Sequence, residues 1–182
     1  MGMQNYSKQS GVVLFISLVM LLILTLLGVS SIQSTSLQLM MSRNARDAEL
    51  AFQAAETAII EAEAYIETLN NTGPFEATNT DGRYDAVNNG TVNLAGFDWT
   101  NSATNARGFK TAATLLTGVA DQPKYFIEFW RTVVSDEDRL NLDNIGQDTG
   151  AGRTQVFRVT AHGTGGTETA EVIIRTTYGK KF

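Results

Sequence analysis

Hydrophobic and polar positions follow three successive patterns along this chain. The first is continuous: Val12 to Val29, VVLFISLVMLLILTLLGV, is eighteen residues without a charge, directly after Lys-Gln-Ser-Gly. At ~1.5 Å per residue a helix of that length covers roughly 27 Å, close to the ~30 Å hydrocarbon core of a bilayer. Fourteen of these residues are Leu, Ile, Val or Phe, which favours insertion by roughly 4 to 8 kcal/mol. The run therefore predicts a membrane-spanning helix. Lys8 and the starting amine lie on its short side, which keeps that side cytoplasmic and sends the long C-terminal part across. A cleavable secretory signal is the competing reading, with Gly28, Ser30 and Ser31 as its small residues. Against it, the run exceeds the usual ~7 to 15 residues and the helical pattern continues beyond it.

The second pattern is a seam. Ala45, Ala48, Phe52, Ala55, Ile59, Ala62, Ile66 and Leu69 recur at alternating three- and four-residue steps, and neither Pro nor Gly interrupts Val29 to Asn71. One helix from about Val12 to Leu69 follows, roughly 87 Å long. Its alanines allow a close neighbour, while Phe52, Ile59 and Ile66 supply apolar area. Ile59 to Leu69 is expected to lie on the chain's own sheet; Ala45 to Ala55 suits a partner helix equally well. Glu49, Glu56, Glu61, Glu63 and Glu67 form a wetted side. Asn70, Asn71, Thr72, Gly73 and Pro74 end the helix.

The third pattern is strand-like, at Lys124 to Val134, Gln155 to His162 and Thr169 to Tyr178. The short link Gly163 to Gly166 predicts a hairpin between the last two. Strands after one long helix give an α+β class, an antiparallel sheet wrapped against that helix. Between Phe75 and Asp121 the chain reads as loop-rich, with a brief helix near Ala112 to Leu116. Phe97, Trp99 and Phe109 are expected to pin this region to the core.

Composition changes the picture by exclusion. The 182 residues hold no cysteine, which removes thiol chemistry and cysteine-ligated zinc. A net charge of −5 with thinly spread Lys and Arg gives no basic stripe for nucleic acid. Asp136, Glu137, Asp138, Asn141, Asp143, Asn144 and Asp148 crowd one segment, and Asn79 to Asp85 reads NTDGRYD, but neither has the register of a calcium loop. Solvated acids are favoured, with calcium left open. His162, the only histidine, sits among Gly and Thr with no nucleophile motif and reads as an exposed turn residue. Gly163 to Gly166 lacks the Lys and Ser or Thr of a phosphate loop. No enzyme, no cofactor and no metal site is predicted.

A polar leader ending in Lys-Gln-Ser-Gly, an apolar run and an unbroken helix resemble type IV prepilins. SRNARDAELAFQAAETAIIEAEAY, Ser42 to Tyr65, is similar to the N-terminal region of PilX-type minor pilins, and Phe157 to Tyr178 is similar to their C-terminal hairpin. The resemblance implies a pilin-like fold and a prepilin peptidase cut between Gly11 and Val12, leaving Val12 as an N-methylated terminus. It divides the chain into a leader (1–11), a spanning or filament-core helix (12–29), its amphipathic continuation (30–70) and a globular domain (71–182) with a variable insert about 75–150. Implied partners are other minor pilins, the major pilin, a tip adhesin, the peptidase and an inner-membrane assembly platform. The protein would pass from the inner membrane, C-terminus periplasmic, into an extracellular pilus, supporting adhesion or motility.

Three departures from the general pilin pattern matter. Ile16 stands where most pilins carry Glu as the fifth mature residue. No proline bends the helix beyond the membrane, and there is no C-terminal disulfide loop. A buried carboxylate costs about 3 kcal/mol in a spanning helix unless paired. A subunit with nothing above it needs none, which points Ile16 toward a tip or priming role; the alternative is drift at that position in a dispersed subunit. Alternatives are a type II secretion tip pseudopilin and, from another class, a membrane-anchored periplasmic binding or sensor module.

Overall fold

The structure, a computed structural model, describes residues 10–75, 81–100, 108–134 and 153–182. The chain divides into two compact units, one ending at Ala45 and the other running from Arg46 to Phe182. Helix α1, Ser10–Thr68, is unbroken for 59 residues and contributes to both, as a sequence free of Pro, and of Gly beyond Gly28, requires. In the first unit the hydroxyls of Ser17 and Thr25 donate to the carbonyls of Leu14 and Leu22, each at 2.8 Å. These are the only polar side chains between Val12 and Val29, and each satisfies itself without water.

In the second unit α1 closes against the end of the sheet. Lys180 Nζ donates to the Ile66 carbonyl at 3.0 Å and also to that of Glu67, so a cation covers acceptors that the last helical turn leaves free. Asn71 then accepts from the Gly73 amide at 2.9 Å. This starts the 3₁₀ turn Gly73–Phe75, whose Phe75 ring packs 5.1 Å from that of Phe157.

The remaining elements are β1 (Arg83–Asp85), α2 (Ala86–Asn89), β2 (Lys110–Thr111), β3 (Lys124–Val134), β4 (Arg153–Thr164) and β5 (Glu171–Lys181), with a second 3₁₀ turn at Leu94–Gly96. Strands β3, β4 and β5 form the expected antiparallel body. To it the fold adds two short strands on the free edge of β3, with β1 parallel and β2 antiparallel, so the five-stranded sheet is mixed. Gly82 makes this edge possible: its φ is +71°, and a Cβ would lie 2.9 Å from the Lys110 amide nitrogen. Its carbonyl accepts from the Ile127 amide at 2.7 Å.

Two sequence expectations are corrected here. No helix forms at Ala112 to Leu116, because the Ala112 amide bonds the Pro123 carbonyl and the Ala113 amide bonds the Glu61 carboxylate, at 2.8 and 2.7 Å. His162 is not an exposed turn residue. It lies inside β4, which continues to Thr164, and is buried.

The sheet has a core on each face, because alternate residues of a strand point to opposite sides. Toward α1 lie Tyr125, Ile127, Phe157, Val159 and Ala161, packed with Ala55, Ala58, Ile59, Ala62, Ile66 and Leu69. Away from it, Phe126 meets Tyr84, Val92 and Trp99, with Phe97 and Phe109 half-buried beside them. Phe97, Trp99 and Phe109 therefore hold the loop-rich region to the sheet. Glu128, fully buried on this side, accepts from the Val92 amide at 2.7 Å and from Arg158 Nε at 2.8 Å. Both partners are needed, since a buried carboxylate without them costs several kcal/mol.

Candidate assembly surfaces

The first surface is the apolar half of α1. Its side chains find nothing to cover them among the described residues: Val12 is 62% exposed and Ile16 52%. Gly11 has open space where a Cβ would be. A continuous exposed apolar helix of this length must be covered by lipid or by other helices. Gly11 and Val12 lie in the first turn of α1, with no charged side chain from Gly11 to Ser42. Ile16 thus adds no carboxylate to that surface.

The second surface belongs to the other half of the same helix. The structure does not place the sequence seam on one face. Ala55, Ile59, Ala62 and Ile66 are buried against the sheet, whereas Ala45, Ala48 and Phe52 are exposed. Ala51, Ala54 and Ala58 take the inward places instead, each with no exposed area. The reason is distance. A Cβ on Gly163 of β4 would collide with the Ala51 carbonyl oxygen and the Ala55 nitrogen, and one on Gly165 with the Asp47 backbone. Strand and helix meet backbone to backbone, and only Gly facing Ala permits that approach. Phe52 is turned outward, leaving a face with Ala48, Phe52 and Ile60 among Glu49 and Glu56.

Helix and hairpin are also tied by side chains. Asp47 accepts from the Thr167 amide at 3.2 Å, from the Gly166 amide and from the Thr167 hydroxyl, holding the β4–β5 turn. The Thr167 hydroxyl bond leads the effects that lower the Asp47 pKa. Near the middle, Glu61 takes the Ala113 and Thr114 amides and, at 3.3 Å, the Tyr125 hydroxyl. Burial, with Glu61 adding its charge, pushes the Tyr125 hydroxyl well above its usual range. At the far end the Tyr178 hydroxyl donates to Glu67, and this bond is the main cause that lowers the Glu67 pKa. Glu61 and Glu67 are therefore not simply a wetted side; they fasten the sheet.

His162 forms a further contact across the sheet. Its ring stacks on Trp99 at 4.9 Å with 13° between planes. Nε2 lies 3.6 Å from a Glu171 oxygen, an ion-pair distance too long for a hydrogen bond. Burial depresses its pKa, and Glu171 offsets this only in part. The acidic segment Asp136 to Asp148, with the leader Met1 to Gln9, lies outside the described residues. Among the described residues no three His, Asp or Glu side chains gather as a metal cluster would require.

A helix whose first half is apolar and uncovered, and whose second half is fastened on an antiparallel-centred sheet, defines a pilin-like subunit, α+β in class. The family model of the PilX N-terminal region matches residues 10–59, and that of the C-terminal region of the type IV pilus assembly protein PilX matches residues 77–180. The chain belongs to the PilX family. It is a structural component of type IV pilus assembly and interacts there with other pilus components. Neither a curated protein nor a solved structure matches it.

Proposed function

We propose that this chain is a minor pilin acting in a tip or priming complex of the type IV pilus. The observation that carries the reading is Ile16: the whole apolar half of α1 presents no carboxylate. In a filament extended from its base, a carboxylate at that place would meet the terminal amine of a subunit already above it. A subunit that starts the filament has no such neighbour, and an unpaired carboxylate there would cost about 3 kcal/mol. In this reading the chain sits in the inner membrane with its domain on the periplasmic side. A prepilin peptidase cuts between Gly11 and Val12, Val12 is methylated, and the helix moves from lipid into a bundle of pilin helices.

Its partners are then other minor pilins, the major pilin, the assembly platform and a tip adhesin, the last linking it to adhesion or motility. Exposed Phe52 and Ile60, at 43% and 67%, support packing against neighbouring subunits. Ile16→Glu, read by counting pili per cell, is expected to leave piliation equal or lower; more pili than wild type would overturn the tip role. Mass spectrometry of the protein from cells should show a methylated Val12 terminus, and retention of residues 1–11 would overturn the processing.

A further inference from the structure

Among the described residues β5 is hydrogen-bonded on one side only, to β4. The Gly165 amide donates to the Ala170 carbonyl at 2.8 Å, which sets the alternation of the antiparallel ladder. Val172, Ile174, Thr176, Tyr178 and Lys180 direct their backbone groups to β4. Ile173, Arg175, Thr177 and Gly179 direct theirs away from it. The strand runs eleven residues without proline, and its pairing with β4 has no register shift. It is already held in place, by Asp47 at the turn and by Tyr178 and Lys180 at its end. A long, straight, fixed edge is a template for another strand, and little ordering on this side opposes the addition.

Charge says what kind of strand. On the face turned from α1, Arg175 and Lys181 of β5 have no ion-pair partner among the described residues. The adjacent Arg158 is engaged through Nε with Glu128, whose other oxygen is taken by Val92. Arg158 and Arg175 repel one another, and burial with this repulsion lowers the Arg175 pKa. In a chain of net charge −5, the outward face of β5 sets Arg175 and Lys181 against a single acid, Glu171, which stands at the turn end beside His162.

We propose that the free edge of β5 takes up an extended segment of a partner protein as a sixth strand, with Asp or Glu beside Arg175 and Lys181 and apolar residues between them continuing the Val172, Ile174 and Tyr178 face. Backbone bonds hold such a segment, and the alternating side chains select it. The inference rests on the reading that the domain is displayed to other proteins, but its test is independent of that reading. Pilus counts with Ile16→Glu do not depend on this edge, so either idea can fail alone.

Amide hydrogen exchange of the full chain in detergent tests it, using a synthetic nine-residue peptide that alternates Val with Asp and a control with Lys in place of Asp. The acidic peptide, at about millimolar concentration, is expected to slow exchange at Ile173, Arg175 and Thr177 by about ten-fold, and the Lys peptide to leave them unchanged. Thr177→Pro removes one outward amide and no bond to β4, and should abolish the protection. The double change Arg175→Glu and Lys181→Glu, which leaves the backbone intact, should abolish it as well and covers the case in which the proline variant does not fold. Unslowed amides with the acidic peptide, equal slowing by both peptides, or stronger protection by single-stranded DNA would each overturn the proposal.

Discussion

The two halves of α1 are built from different residues because they are covered by different things. From Val12 to Val29 the helix carries Leu, Ile, Val and Phe all round, exposed within this chain. From Ala51 to Ala62 its inward face is alanine apart from Ile59, and Gly163 brings β4 against its backbone. Large side chains suit a medium that adapts to them, as lipid does. Small ones suit a fixed sheet, where backbones come close and dispersion contacts are dense. Hydrophobicity alone does not distinguish these situations; side-chain size does.

That contrast can be broken most severely at the point of closest approach. Gly163→Val places a branched side chain on the helix backbone, where its Cβ alone collides with the Ala51 carbonyl oxygen, which puts the cost at the upper end of the ~1 to 3 kcal/mol typical of overpacking. The domain of the full chain in detergent should lose its cooperative thermal transition. A paired experiment sharpens the difference: Ile66→Ala should destabilise that transition by about 2 to 5 kcal/mol, while Leu22→Ala should leave it within about 0.5 kcal/mol. Equal effects would mean that the first half is also packed within the chain.

Asp47→Ala should lower the transition temperature more modestly, by freeing the β4–β5 turn. Because the folded-state pKa of Asp47 lies below its unfolded value of 3.8, its contribution is complete above that pH. It is lost as pH falls from 3.8 through the folded value, so wild type and variant should converge in strong acid. The smallest effect concerns His162, whose folded-state pKa lies below 6.5. Above pH 6.5 both states are neutral there. As pH falls below it the unfolded chain gains the proton first, and stability declines toward the lower folded value. His162→Phe keeps an aromatic ring on Trp99 and should flatten the fall in transition temperature between pH 7 and 5.

Much of this was readable without coordinates. Lys124 to Val134, the aromatic and β-branched run, is strand throughout, and the helix stops just before Asn70. β1 and β2 were not readable, since three and two residues carry no alternation; their pairing with β3 makes them strands. The alanines of α1 satisfy more than one register, so the sequence does not say which of them face Gly163; Phe52 points outward, toward the side where a partner helix is the other expectation. The glycines themselves were the missed signal: a Gly inside a strand marks a close backbone approach. The Gly and Thr beside His162 resemble a turn, although Gly163 is small to admit the helix and Thr164 bonds Asp121 across to the preceding loop. Nothing in local sequence announces Glu61 or Glu67 as fasteners, because their partners lie far along the chain.

The fastening of α1 at Asp47, Glu61 and Glu67 bears on what happens under load. β5 leaves its turn beside Asp47 and ends beside Glu67, so it runs with the helix along its length. A pull transmitted along α1 meets these ties and the alanine–glycine contact together, as a shearing force on many bonds in parallel. It does not open them one after another from an end. The domain therefore resists a pull along its own stretch of α1 as one body rather than bond by bond.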